Sequence, residues 1–206
     1  MRYDAVFFDL DGTLVETGPL WDIATRRAVP EWTEDLSEEE YRSLGGALLH
    51  ELLAEKGVDA GTIEKIRARR NEHMLPLMRE HAMWREGAID LLHELTKKRM
   101  GIVTSAPLVA VDALDDALRL RTYAEVIVTG EDMRPDYKPH PKGLLIACER
   151  LGVDAARCVY VGDQQCDLDA AAAAGMDAVL MRGIFTPDTV THSQSVSTPG
   201  ELRPLL

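Results

Sequence analysis

Two aspartates, Asp9 and Asp11, are the residues of this sequence most suited to chemistry. They follow the short apolar run Ala5–Phe8 and precede Gly12 and Thr13. Such a run is typical of a strand buried on both faces of a parallel sheet, and ligands collect at the carboxyl ends of such strands. Two carboxylates held close together repel each other unless a cation or protons offset the repulsion. The pair therefore suggests a metal site, although on this motif alone a polar turn is the better explanation.

The ends of three later apolar runs also carry side chains that can take part in chemistry. In chain order they are Thr104 and Ser105, Lys138 in a proline-rich loop, and Asp163 and Asp167. Carboxylate oxygens are hard ligands that suit Mg²⁺, while a lysine and hydroxyl groups offset the charge of phosphoryl oxygens. One carboxylate can attack phosphorus, and a second can protonate the leaving oxygen and then activate water. The set is therefore typical of phosphoryl transfer.

The elements that must position these residues follow from the periodicity of the sequence. Strands are predicted over 5–8, 101–105, 126–128, 158–161 and 178–181. Helices are predicted over 87–98, 109–120, 142–151 and 168–174. Alternating strands and helices indicate an α/β fold, in which a Rossmann-like parallel sheet is covered by helices on both faces. The tail from residue 183 is rich in Thr, Ser and Pro, and is predicted to be loop with a short closing helix near Leu202.

A long segment after the first strand, residues 19–82, has helical patterns and no convincing strand. Ser37 and Glu40 have the spacing of a capping box, and Gly57 is placed to end the next helix. A longer helix is predicted over 62–81, with a break or kink at Pro76. These patterns predict a small all-helical cap domain over 16–84, inserted in a catalytic core formed by 1–15 and 85–206.

Composition excludes several classes of partner. The chain has 206 residues, 46% hydrophobic and 28% charged, and a formal net charge of −12. This acidic balance argues against nucleic acid and anionic membranes as partners, because both require a basic face. No apolar run approaches the ~20 residues of a membrane span, and no leader-like segment opens the sequence. Cys148, Cys158 and Cys166 are interpreted as reduced thiols. We therefore expect a cytoplasmic protein. Its oligomeric state, monomer or dimer, does not follow from the sequence.

Four motifs in this order resemble those of the haloacid dehalogenase-like hydrolase superfamily, in its phosphatase branch. They are Asp9-Leu10-Asp11-Gly12-Thr13-Leu14, Thr104 after an apolar strand, Lys138 in Lys-Pro-His-Pro, and Gly162-Asp163-x-x-x-Asp167. The position of the helical insert is also similar to that in phosphoglycolate phosphatases and β-phosphoglucomutase. The resemblance implies Mg²⁺-dependent hydrolysis of a small phosphorylated metabolite through an aspartyl phosphate on Asp9. Asp11 points to phosphate esters, because dehalogenases release halide without a proton and lack an acid here.

The resemblance also implies a role for each matched residue. Asp9 would be the nucleophile and Asp11 the general acid and base. Thr104 and Lys138 would hold the phosphoryl group, together with Gly12, Thr13 and Ser105. Mg²⁺ would be bound by Asp9, Asp163 and the main-chain carbonyl of Asp11, with Asp167 supporting the site. Two positions depart from the common pattern: Ser105 replaces a frequent Asn, and Gln164 replaces a frequent Ser or Thr.

Other polar and aromatic residues have two interpretations each. The basic cluster Lys65, Arg67, Arg69 and Arg70 and the turn Gly45-Gly46 could contact an anionic substrate, but a solvated helix face and a helix end are the commoner explanations. His140 beside Lys138 is interpreted as structural, and Cys166 as an inert small residue. Trp21, Trp32 and Trp84 are predicted to pack in a core or between domains.

Three alternative functions remain open on the sequence. The first is a phosphomutase similar to β-phosphoglucomutase, which would transfer the phosphoryl group to a second hydroxyl of a sugar phosphate. The second is a non-catalytic binding or regulatory protein on the same fold. The third is a receiver domain phosphorylated on aspartate, against which the helical insert counts. The substrate itself is open among glycolate phosphate, sugar phosphates, nucleotides and pyrophosphate.

Overall fold

A parallel six-stranded sheet with the order β3-β2-β1-β4-β5-β6 forms the centre of the structure, a computed structural model that describes residues 2–43, 49–95, 98–184 and 186–206. The strands are β1 (Ala5–Phe8), β2 (Arg99–Val103), β3 (Val126–Val128), β4 (Cys158–Gly162), β5 (Asp177–Met181) and β6 (Ser195–Val196). The strand order reverses between β1 and β4, so their carboxyl ends form the crevice in which ligands bind in such sheets. The predicted α/β class is confirmed. The short strand β6 in the tail is not predicted by the sequence.

Helices occupy most of the connections between the strands. They are α1 (Gly18–Ala28), α2 (Glu38–Ser43), α3 (Leu49–Glu55), α4 (Ala60–His81), α5 (Ala88–Glu94), α6 (Leu108–Leu118), α7 (Gly130–Met133), α8 (Lys142–Leu151) and α9 (Gln165–Ala173). A 3₁₀ turn at Pro199–Leu202 corresponds to the predicted closing helix. Among the described α-helices, the prediction missed the four-residue α7, because so short an element has no periodicity to detect.

Two hydrophobic clusters cover the two faces of the sheet. Side chains alternate along β1, so that Val6 and Phe8 lie in one cluster and Ala5 and Phe7 lie in the other. Helices α5 and α6 contribute to the first cluster, whereas α8 and α9 contribute to the second. All four residues of β1 are fully buried, which explains its continuous apolar sequence.

A third hydrophobic cluster lies among the helices between β1 and α5, and α4 connects it to the sheet. Ile63 and Ile66 in the first half of α4 belong to this third cluster, whereas Met74 and Met78 belong to the first sheet cluster. The helix is continuous through Pro76, so a break at that position is excluded. A proline inside a helix costs about 3 kcal/mol, and the burial of apolar side chains on both sides offsets this cost.

Two of the three predicted helix-end features lie within the described residues, and both are confirmed. The capping box is confirmed, since the Ser37 N–H donates to Glu40 Oε2 at 2.7 Å and the Glu40 N–H to Ser37 Oγ at 3.3 Å. Gly57 has a φ of +82°, as expected after a helix end. The predicted Gly45-Gly46 turn lies outside the described residues. In the described part of the chain, no helix has the length and apolar character needed to cross a bilayer.

Candidate active site

Three aspartates meet at the carboxyl ends of the two central strands. Asp9 follows β1 directly, Asp163 follows β4, and Asp167 lies in the first turn of α9. Their exposed fractions are 5%, 3% and 1%. Each offers a carboxylate oxygen, and these oxygens lie within 4.8 Å of one another. The strand-end argument from the sequence therefore brings together residues that are far apart in the chain.

Lys138 reaches this cluster from the loop between α7 and α8. Its Nζ donates to Asp9 Oδ1 and to Asp167 Oδ1, both at 2.6 Å, and its side chain is only 5% exposed. Burial alone would lower the pKa of Lys138, but the attraction of Asp167 and Asp9 raises this pKa well above its usual value. Lys138 is therefore a fixed positive charge at neutral pH.

The cluster holds three carboxyl groups but only one lysine, so Lys138 cannot compensate all of them. Burial, reinforced by the neighbouring carboxylates, raises the pKa of Asp9 well above its ordinary range although Lys138 opposes the shift. Burial and the charge of Asp167 raise the pKa of Asp163 to about 7. Within the described residues, Asp163 Oδ1 is buried without a hydrogen-bond partner. An orphaned oxygen among clustered hard ligands fits a divalent cation such as Mg²⁺.

Gly12 allows the chain after β1 to pass directly against this cluster. Its φ is +77°, and a Cβ at this position would lie 2.6 Å from Asp163 Oδ2. Both the backbone conformation and the lack of space therefore require glycine. The next residue, Thr13, is fully buried, and its Oγ1 has no hydrogen-bond partner among the described residues.

Asp11 is held by two residues of the segment that follows it. Its Oδ1 accepts a hydrogen bond from Thr17 Oγ1 at 2.6 Å and another from Trp21 Nε1 at 3.2 Å. The sequence analysis missed Thr17 and predicted only packing for Trp21. Their polar groups just downstream of an acidic motif were the available signal, but neither forms part of a recognisable motif. These bonds fix the orientation of the Asp11 carboxylate.

Asp167 is engaged at both oxygens. Its Oδ2 accepts from the backbone N–H groups of Asp163 at 3.1 Å and Gln164 at 3.0 Å, while Oδ1 accepts from Lys138. Asp167 thus closes the first turn of α9 and fixes the loop that carries Asp163. The unusual Gln164 also has a contact here, because its Nε2 donates to Asp163 Oδ2 at 2.8 Å.

Tyr160 is a buried polar contact of Lys138 that the sequence analysis missed. Its hydroxyl donates to the Val103 carbonyl oxygen at 2.8 Å and accepts from Lys138 Nζ at 3.0 Å. Tyrosine is common in strands, so its position in β4 gave no sign of a polar role. The contact fixes the lysine between β4 and β2.

Arg85 is a second contact missed from the sequence. Its guanidinium donates to the carbonyl oxygens of Gly12 at 2.8 Å and Ser197 at 3.0 Å, and also to that of Arg182. The residues after β5 had been assigned no chemistry, yet they help to hold an arginine that supports the Gly12 turn.

The two hydroxyl residues after β2 differ in their surroundings. Thr104 is 1% exposed, and its Oγ1 accepts a hydrogen bond from the Ala106 N–H at 3.0 Å. Ser105 is exposed. Both follow the strand that neighbours β1, as predicted, but their contact with a phosphoryl group stays a prediction.

The remaining candidates lie away from the buried cluster or have other roles. His140 is exposed, and its Nδ1 accepts from the Lys142 N–H at 3.2 Å, a local structural contact. Burial and nearby carboxylates raise the pKa of Cys166 to about 12, which fits an inert thiol. Trp84 packs against the first sheet cluster as predicted. The packing prediction is wrong for Trp32, which is 45% exposed and has the Lys65 ammonium over its ring.

Comparisons with known proteins agree with this geometry. The family model described as "Haloacid dehalogenase-like hydrolase" matches residues 6–181. A phosphoglycolate phosphatase of Xanthomonas campestris pv. campestris (strain 8004) is 32% identical over 192 residues, covering 87% of this chain and 83% of the relative. An N-acetylmuramic acid 6-phosphate phosphatase of Pseudomonas aeruginosa is 28% identical over 200 residues, covering 91% and 86%.

A solved structure extends the similarity to three dimensions. CbbY from Rhodobacter sphaeroides in complex with phosphate has a TM-score of 0.82 and 27% sequence identity, covering 97% of this chain and 96% of that one. The motif order, the buried carboxylate–lysine cluster and these similarities all agree. The chain therefore belongs to the haloacid dehalogenase-like hydrolase family, in its phosphatase branch.

Proposed function

We propose that this phosphatase hydrolyses the monoester of a small phosphorylated metabolite, with Asp9 as the nucleophile and Mg²⁺ as the cofactor. The observation that carries this proposal is the convergence of Asp9, Lys138, Asp163 and Asp167 on one buried point beside Gly12. The phosphatases of phosphoglycolate and of N-acetylmuramic acid 6-phosphate among the relatives support a small phosphorylated substrate.

Each half of the reaction uses the two aspartates of the first motif in turn. In the first half, an Asp9 oxygen forms a bond to phosphorus as the bond to the ester oxygen breaks. Asp11 gives its proton to that leaving oxygen. In the second half, Asp11 takes a proton from water, whose oxygen attacks phosphorus and releases Asp9. Thr17 and Trp21 occupy Oδ1 of Asp11, which leaves its Oδ2 for proton transfer.

The surrounding residues hold the phosphoryl group during both steps. Lys138 supplies positive charge to the phosphoryl oxygens, and the hydroxyls of Thr13, Thr104 and Ser105 supply hydrogen bonds. Asp163, Asp9 and the main-chain oxygen of Asp11 would hold Mg²⁺, with Asp167 orienting the loop. Bound Mg²⁺ would neutralise charge on the phosphoryl oxygens and on Asp9.

The helices between β1 and α5 would act as a cap over this site. We assign residues 16–84 to the cap, and residues 1–15 and 85–206 to the catalytic core. The third hydrophobic cluster gives the cap a core of its own. Closure of the cap would exclude bulk water during the first step, when water would compete with Asp9.

Removal of divalent metal is expected to suppress turnover by about 100-fold or more, because the buried carboxylates then repel the phosphoryl group. The measurement is phosphate release from a panel of metabolite monoesters, with EDTA and then with excess Mg²⁺. Mg²⁺ should also raise the melting temperature. Absence of release throughout the panel with Mg²⁺ would favour a non-catalytic protein, and an isomeric sugar phosphate formed without release would favour a phosphomutase.

The substitution Tyr160→Phe is expected to lower kcat by roughly 3- to 30-fold, because Lys138 then loses a contact that fixes its position. The free energy of unfolding should fall by about 1–3 kcal/mol, because the buried Val103 carbonyl oxygen and Lys138 both lose a hydrogen-bond partner. The matched control is Tyr3→Phe, which loses a hydrogen bond to Asp177 (2.6 Å) on another part of the protein. The positioning role would be wrong if both variants kept the wild-type kcat.

A further inference from the structure

Arg70 differs from the other arginines in the basic cluster of α4. Arg67 donates to Glu64 at 2.6 Å, and Arg69 donates to Glu31 and Glu72 at 2.8 Å. Arg70 makes no ion pair with a described acidic residue, and its Nε is buried without a hydrogen-bond partner. In a chain with 35 acidic and 23 basic residues, a half-buried guanidinium whose Nε has no acceptor among the described residues is a conspicuous exception.

The surroundings of Arg70 make this charge costly in the ligand-free protein. Burial, with a smaller contribution from the charge of Arg67, lowers the pKa of Arg70 to about 10. The group nevertheless remains protonated at neutral pH. The guanidinium lies over the indole of Trp21, with 4.9 Å between Cζ and the ring centroid. An aromatic face offsets only part of the lost hydration and supplies no acceptor for Nε.

Trp21 connects Arg70 to Asp11, the proposed general acid. The same indole that contacts Arg70 through its face donates from its Nε1 to Asp11 Oδ1 at 3.2 Å. One aromatic ring therefore separates the free guanidinium from the proposed general acid. Lys138 is in the buried aspartate cluster, where its Nζ donates to Asp9 and Asp167. The transferring phosphoryl group thus has its own cation, and Arg70 is available for a different group.

We infer that Arg70 binds a second anionic group of the substrate, either a carboxylate or another phosphate. This inference rests on the proposed phosphatase function and narrows its substrate class to esters with two anionic ends. A guanidinium suits this task because its planar donors match two oxygens of a carboxylate or phosphate. The substrate would supply the acceptor that the free protein lacks, so binding would repay part of the desolvation of Arg70.

Two esters with the same carbon skeleton test the inference. 3-Phosphoglycerate has a carboxylate where glycerol 3-phosphate has a neutral hydroxymethyl group. The wild-type enzyme should prefer the carboxylate in kcat/KM, and Arg70→Gln should lower kcat/KM for 3-phosphoglycerate by about 10- to 100-fold, mainly through KM. The same variant should change kcat/KM for glycerol 3-phosphate by less than about twofold. Arg70→Lys should restore part of the preference.

The matched control is Arg67→Gln, which removes the same charge from the same helix at an exposed position. It should leave the ratio of the two kcat/KM values unchanged. A purely structural role for Arg70 would lower kcat/KM for both esters equally, and this result would overturn the inference. Absence of a wild-type preference for the carboxylate would overturn it as well.

A binding experiment separates this inference from the proposed function. Phosphonoacetate and ethylphosphonate are a corresponding pair that cannot be hydrolysed as phosphate esters. Calorimetry with Mg²⁺ present should show tighter binding of phosphonoacetate to the wild type, and Arg70→Gln should remove this difference. If no ester is turned over but the difference is found, the hydrolytic function fails and the anion site stands. If esters are turned over but no difference is found, the anion site fails.

Discussion

Replacing Asp9 with Asn is expected to lower turnover by roughly 10⁴-fold or more, because the amide cannot replace the carboxylate as a nucleophile. The fold should remain intact. The raised pKa of Asp9 shows that its charged form is disfavoured in this buried cluster, and Asn removes that charge with almost no change in volume. Lys138 keeps its ion pair with Asp167 in this variant, so in the absence of metal we expect a melting temperature equal to or above that of the wild type.

Phosphate release and thermal unfolding with and without Mg²⁺ measure these effects. The stabilisation by Mg²⁺ should be smaller in Asp9→Asn than in the wild type, because one of the proposed ligands has lost its charge. Asp4→Asn is the control. Asp4 lies immediately before β1 and pairs with Arg157 on the surface, so its replacement should leave turnover and the Mg²⁺ effect unchanged. Turnover by Asp9→Asn close to the wild-type rate would contradict the nucleophilic role.

Replacing Lys138 with Met should both destabilise the protein and reduce catalysis. Lys138 is the buried cation between Asp9 and Asp167, and its removal leaves those carboxylates without compensation. Breaking a buried ion pair in this way typically costs about 3–5 kcal/mol. The expected loss in kcat/KM is about 100-fold or more, because a charge that stabilises the transferring group is missing.

Urea unfolding in EDTA measures the free energy of unfolding, and steady-state phosphate release measures kcat/KM. The control Lys142→Met removes a lysine that is 31% exposed and pairs with Asp136 at 3.3 Å, which should cost at most about 1 kcal/mol. Added Mg²⁺ should restore part of the stability of Lys138→Met, because it replaces the missing positive charge. Equal effects of the two substitutions would show that the buried lysine has no special role.

The sequence was sufficient to predict the parallel sheet and the residues at its strand ends. Buried strands have continuous apolar runs, and the switch to polar residues after β1, β2 and β4 marks the sheet edge where Asp9, Thr104 and Asp163 lie. Their order along the chain then identified the family. The strand-end argument also placed the loop of Lys138 at this edge, but the irregular loop gave no sign that Lys138 lies between Asp9 and Asp167.

The supporting contacts of the site could not be predicted because they depend on tertiary packing. Thr17 and Trp21 contact Asp11, Tyr160 contacts Lys138, and Arg85 contacts Gly12. None of these pairs is defined by a sequence motif. The special status of Arg70 was equally invisible, because its neighbours Arg67 and Arg69 look the same in sequence and differ only in their acidic partners.

The continuity of α4 has a consequence for engineering chimeric enzymes. Its first half belongs to the helical cluster, whereas Met74 and Met78 are almost fully buried against the sheet side. If the whole of α4 were exchanged, with the junction beyond His81, Met74 and Met78 would be replaced as well. The helix would then lose side chains that pack on the sheet of the recipient enzyme. Exchanges of specificity modules between homologues should instead join the chains within α4, after the residues of the helical cluster and before Met74.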